Sequence, residues 1–366
     1  MKKILRFASV VGVLIGFSSC DSEKPNDSVG YSDLFEHTAD NLIIPSYAQF
    51  QSDLSALNAD FNSFDASEVQ SLERLQEQFK ATYLSWQSIS AFNFGPAAEY
   101  SALLLMNCNS FPTNIAKIED HVQSGSYNLG VPSNYEAKGF PALDYLLFHT
   151  SQSDLLIELA DSSRVNYISD CIDDMQKRID EVVQSWDSYR AVFVASKGND
   201  RASSLSLLFN NFLYDYENLK RDKFALPSGF ATQYGIPVSA DHALVEGYYS
   251  QMSFELLDAN LSALQKIYLG IGLDGVDGVG IFDKLKEYNA QSTVVDGDLA
   301  LAIQEQFEAC REAISVYTND LSSEIESNNL NLSQTSNTLQ KLVPMIKNDM
   351  RSYLSVTVTS TDADGD

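Results

Sequence analysis

Apolar residues recur along this chain at steps of three and four. Leu72, Leu75, Phe79, Tyr83 and Trp86 make one stripe, and Ser90 continues its spacing. Ile168, Ile172, Met175, Ile179, Val182 and Trp186 make a second. Leu205, Leu208, Phe212, Tyr216 and Leu219 make a third, and Ile303, Phe307, Cys310, Ile314, Tyr317 and Leu321 a fourth. Steps of this kind place side chains on one face of a helix turned toward a core. Asp65 with Glu68 three residues on reads as a capping box opening the first stripe. Shorter or kinked helices are expected over 34–44, ended by Pro45, over 244–268, and over 339–354, bent by Pro344. Only TVVD near residue 293 and SVTVTS near residue 355 read as extended. The pattern predicts an all-α protein of helical bundles. The polar stretch SKGNDR at 196–201 divides it into two halves of similar size, 31–196 and 197–366.

The first nineteen residues do not fit this pattern. Lys2, Lys3 and Arg6 precede an apolar run from Phe7 to Phe17, too short for a permanent membrane span, and the segment 1–19 reads as an export signal. The following GFSSC resembles the lipobox of bacterial lipoproteins, which makes Cys20 the expected site of lipidation and the mature N-terminus; an ordinary secretory peptide ending in cysteine is the alternative. Residues 20–30 then form a polar tether between that anchor and the folded body.

Composition narrows the choice of partners. The chain carries 50 acidic and 24 basic residues, a formal net charge of -26, and loss of Lys2, Lys3 and Arg6 with the signal makes it three units more acidic. Nucleic acid and anionic headgroups are poor partners for such a surface. Beyond Cys20, Cys108, Cys171 and Cys310 lie far apart with no CxxC, so buried free thiols are expected instead of a disulfide framework or zinc knuckle.

Several stretches invite a chemical reading. Gly270, Gly272 and Gly275 spell GxGxxG, with Asp296 downstream, but a helical pattern precedes them and no parallel sheet is available, so the segment reads as a loop. DADGD at 362–366 begins like a calcium loop and stops before a closing glutamate. His37, His121, His149 and His242 form no HExxH or HxH. His242 and Glu246, four apart, read as a surface pair on one helix face. KGFPALDYLLFH at 138–149 has the entrance of a helix in Gly139 and Pro141, and Asp144 then either complements the helix dipole or faces a site.

Taken in order, HTADNLIIPSYAQF, FNFGPAAEY, GFPALDYLLF, YENLKRDKFALPSG, LVEGYYSQMS and the closing KNDMRSYLSVTVTSTDADGD resemble the imelysin family of bacterial envelope proteins over nearly the whole chain from residue 31. The resemblance implies two helical bundles side by side with a cleft between them, and a role in or near iron acquisition at the cell envelope. The family takes its name from a peptidase activity attributed to some members. Its GxHxxE motif puts a histidine and a glutamate on one helix face, where they can share a metal. This chain keeps Gly139, but Pro141 stands in the histidine's place and Asp144 in the glutamate's.

The reading that follows is a non-catalytic, lipid-anchored binding protein of the outer membrane, on its periplasmic or surface side, working with iron- or haem-uptake components. The alternatives are a metallopeptidase with a substitute ligand and a general protein- or glycan-binding module. Gly139, Pro141 and Asp144 are expected to meet Glu246 and Ser250, read as one helix face, in a polar cleft between the bundles. Asp144 and Glu246 are the candidate ligands of a metal ion such as iron.

Overall fold

The computed structural model describes residues 30–233 and 235–359. The segment read as an export signal, Cys20 and the DADGD tail lie outside the described residues. The body is helical, with a single two-stranded sheet among the described residues, β1 (Thr232–Gln233) paired antiparallel to β2 (Ile236–Pro237).

The first half contains α1 (Ser32–His37), α2 (Ile44–Asn62), α3 (Val69–Trp86), α4 (Leu104–Cys108), α5 (Ile115–Ser124), α6 (Gly139–Phe148), α7 (Gln152–Glu158) and α8 (Ser162–Ala195). The second contains α9 (Ser204–Asn218), α10 (Ser253–Leu269), α11 (Ile281–Glu287), α12 (Leu299–Ser315), α13 (Leu321–Glu326) and α14 (Asn331–Gln340), then α15 (Leu342–Pro344) and α16 (Arg351–Leu354). The long apolar stripes are largely buried helix faces: Leu72, Leu75, Phe79, Tyr83 and Trp86 of α3 are all sealed from water, whereas the fourth stripe ends with α12, leaving half-buried Tyr317 in the following turn and Leu321 at the start of α13. α2 packs along α3 and α8, while α10 packs on α12 and α12 on α14. The halves meet where α9 rests on the short turn Ser90–Phe92 and where α10 touches α3.

Local chemistry overrides several expectations. Pro45 does not end its helix: α1 passes through a π segment, Thr38–Ile43, into α2, and the wider turn accommodates the proline near the start of α2. Pro344 likewise leads into a π segment, Met345–Met350. No capping box opens α3. Glu68 is the N-cap without a side-chain bond, and Asp65 instead accepts from Ser67 N at 2.8 Å, closing a local turn. TVVD and residues 355–359 of SVTVTS are not strands; the 293–296 loop is tied down by Thr293 N donating to Asp349 at 2.8 Å.

The glycine-rich 270–280 segment is a loop, as its context required. It clamps the second half onto the first: Leu273 N donates to Asn41 O at 2.9 Å, and His37 Nε2 lies 2.7 Å from Gly270 O. Cys108, Cys171 and Cys310 are buried and free.

Candidate functional site

α6 enters the centre of the molecule and is buried along nearly its whole length. Gly139 has φ +72°, and a Cβ there would sit 2.3 Å from Cys108 O, so the start of α6 lies directly against the end of α4. Phe140 then stacks on Tyr83, ring centroids 4.5 Å apart and 4° from parallel. Pro141 is buried and, as a proline, offers no donor atom to a metal or a substrate.

Asp144 is buried at the sixth position of α6, beyond the reach of a first-turn dipole effect. Its Oδ2 accepts from Tyr249 N and its Oδ1 from Ser250 N, both at 2.9 Å. The carboxylate thus pins a turn of the second half to the first. Residues 245–251 are that turn and not a helix face, with Gly247 at φ +66° and Gln251 at φ +58°; α10 begins only at Ser253. Glu246 and Ser250 therefore do not share a helical stripe. The expected His242–Glu246 pair is also absent, because half-buried His242 meets Glu326 at 2.8 Å while Glu246 turns inward.

Inward, Glu246 is only 2% exposed and closes a network drawn from both halves. Its Oε1 accepts from Asn109 Nδ2 at 2.7 Å, and from Tyr83 OH and Gln87 Nε2, each at 3.3 Å. Its Oε2 lies 3.1 Å from Lys223 Nζ, an ion pair whose angle is outside that of a hydrogen bond, while Lys223 donates to Gln87 Oε1 at 2.7 Å. Asp215 sits nearby, accepting from Ser90 Oγ at 2.9 Å and Asn260 Nδ2 at 2.7 Å. Burial raises the Asp215 carboxyl above its ordinary range, and the Lys223 ammonium pulls it back.

Seven members of this network, Tyr83, Gln87, Ser90, Asn109, Asp215, Lys223 and Asn260, escaped the sequence reading as site residues. A signal existed. Asp215 and Lys223 continue the spacing of Phe212 and Leu219, so charged side chains occupy an otherwise apolar stripe.

Asn109 links this network to an open cleft of about 220 Å³ bordered by Leu105, Met106, Phe111, Tyr214 and Asn218, between α4 and α9. The donor set does not suit a metal. Glu246 is neutralised by Lys223, both oxygens of Asp144 are held by backbone donors, and among the described residues no three His, Cys, Asp or Glu side chains gather as ligands.

Burial pushes the Asp144 carboxyl up to about 6, against the pull of the Ser250 and Tyr249 donors, with Asp320 adding repulsion. Between roughly pH 4 and 6 the folded chain then holds a proton here that the unfolded chain, with an ordinary pKa of about 4, has released. The stability from this group is full at the acid end and lost as the pH rises through 6. The stability difference between wild type and Asp144→Asn should move toward wild type on acidification from about pH 7 to 4.5, as read by urea unfolding. A difference indifferent to pH would show that the carboxyl titrates normally.

The imelysin family profile matches residues 43–348. A solved structure from Parabacteroides distasonis, assigned as an iron-regulated protein A precursor, superposes with a TM-score of 0.73 at 15% identity, covering 88% of this chain and 94% of that one. An imelysin-like protein from Psychrobacter arcticus superposes with a TM-score of 0.65 at 15% identity, covering 90% and 98%. Among curated protein sequences none matches this chain. At such identity the structures share its fold.

Proposed function

The chain belongs to the imelysin family, and from that membership and the chemistry of its centre we propose a non-catalytic binding protein of the bacterial cell envelope that serves iron or haem acquisition. The observation that carries the non-catalytic part is the use made of the motif. The histidine position is a buried proline, the carboxylate position is spent on two backbone N–H groups, and the nearest other carboxylate is paired with lysine. A general base needs an accessible lone pair aimed at a proton, and a metal needs several free donors. These side chains act as struts that fix one half against the other.

The link to iron rests on the family resemblance and on the name of the Parabacteroides distasonis neighbour. No described helix is long and apolar enough to cross a membrane. The GFSSC sequence makes a lipid on Cys20 the proposed means of attachment, with uptake components of the outer membrane as partners. The cleft beside Asn109 is the proposed ligand entrance, since it joins solvent to the contact between the halves.

A peptidase assay on the purified chain, with added zinc and separately with chelator, checks the reading. No peptide-bond cleavage above background is expected in either condition. Turnover abolished by chelator would establish the metallopeptidase instead.

A further inference from the structure

We propose that a separate pocket on the first half binds a single pyranose ring of a glycan. The pocket measures about 170 Å³ and is bordered by Tyr100, Ser101, Asn107, Gly130, Tyr135 and Arg178. It goes beyond the iron-linked reading and does not rest on it.

Four features together select this ligand class. Tyr100 stands at the rim with 83% of its surface exposed, a large aromatic side chain that nothing in the described fold covers. Tyr135 is partly buried, with the Lys138 ammonium 5.7 Å from its ring centroid, so the ring is fixed from within. Arg178 is locked: Nε and Nη2 each donate to Asp174 at 2.9 Å, and Nη1 donates to Ser101 O and Ala102 O at 3.1 and 2.8 Å. Asn107, 2% exposed, donates its amide to Ala102 O at 3.0 Å and Leu103 O at 2.9 Å, which fixes its orientation and leaves Oδ1 as a buried acceptor with no donor.

A sugar ring has an apolar C–H face suited to an aromatic side chain and a girdle of hydroxyls that donate and accept. The tyrosines meet the first, and Ser101 and the fixed Arg178, set over the buried amide of Asn107, meet the second. Lys138 and Arg178 against the shared Asp174 leave one positive charge, which favours neutral or acidic sugars over amino sugars. A hydrocarbon chain would leave the polar side chains unsatisfied, and a bare anion would make no use of the tyrosines.

The test uses the folded mature chain and a panel of methyl glycosides of hexoses, N-acetylhexosamines and hexuronic acids, titrated by calorimetry and ligand-observed NMR. Saturable binding of at least one glycoside at millimolar or tighter Kd is expected. Tyr100→Ala should weaken it about tenfold or more with an unchanged melting temperature, since that side chain supports no packing. Tyr135→Ala should weaken it as well, and Tyr214→Ala, in the cleft between α4 and α9, should leave it intact. Failure of every glycoside to bind, binding that survives Tyr100→Ala, or equal loss in Tyr214→Ala would each overturn the proposal.

Discussion

Lys223→Met is expected to destabilise the protein by about 3–5 kcal/mol, because it strands the carboxylate of Glu246 in a site only 2% exposed. Asn109, Gln87 and Tyr83 still donate to Glu246 after the substitution, but neutral dipoles do not replace an ammonium 3.1 Å away. Asp215 loses the same cation and is left still less willing to ionise. The double variant Lys223→Met with Glu246→Met removes both charges and should be less destabilised than the single one. It should still fall short of wild type, since Asn109 then has an amide donor without an acceptor, worth about 1–3 kcal/mol. Urea unfolding of the three proteins measures this directly. A single-variant loss below about 1 kcal/mol would mean that water reaches the pair.

The second large effect belongs to Gly139→Ala. The substitution adds a Cβ 2.3 Å from Cys108 O, 2.6 Å from Cys108 C and 2.9 Å from Asn107 O, all of them backbone atoms that no rotamer change can clear. The left-handed φ of +72° adds about 1–2 kcal/mol of its own. α6 must therefore move away from α4, disturbing the Phe140–Tyr83 stack and the grip of Asp144 on Tyr249 and Ser250. A loss of more than about 3 kcal/mol is expected, within the range of overpacked cores combined with backbone strain. Gly125→Ala is the control: its φ is +59°, but nothing lies within 4 Å of the added carbon, so only the conformational cost of about 1 kcal/mol should appear. Equal losses in the two variants would show that the close approach at Gly139 is unimportant.

The helices were legible because burial imposes their period: a residue such as Phe79 or Ile172 has no other reason to recur at three- and four-residue steps. The same rule misled at 245–251. Glu246 and Ser250 have helical spacing, yet Gly247 permits a left-handed turn and Asp144 supplies acceptors for the N–H groups that turn exposes. Spacing alone does not reveal an acceptor more than a hundred residues away. Asp144 was picked out by its position in a motif, and Glu246 by its helical spacing to Ser250 in LVEGYYSQMS. Lys223, the cation paired with Glu246, continues the apolar spacing of Phe212 and Leu219, but a lysine beside Arg221 and Asp222 reads as a solvated face. It lies in the π segment Leu219–Ala225 and is buried there.

The claim that this chain serves iron acquisition is tested most directly by measuring uptake of labelled iron, supplied as a ferric chelate or as haem, in host cells lacking the chain and in the same cells complemented with it. Lower uptake from at least one source in the deleted cells, restored by the wild-type chain, is the predicted result. Equal uptake from both sources under iron limitation would contradict it.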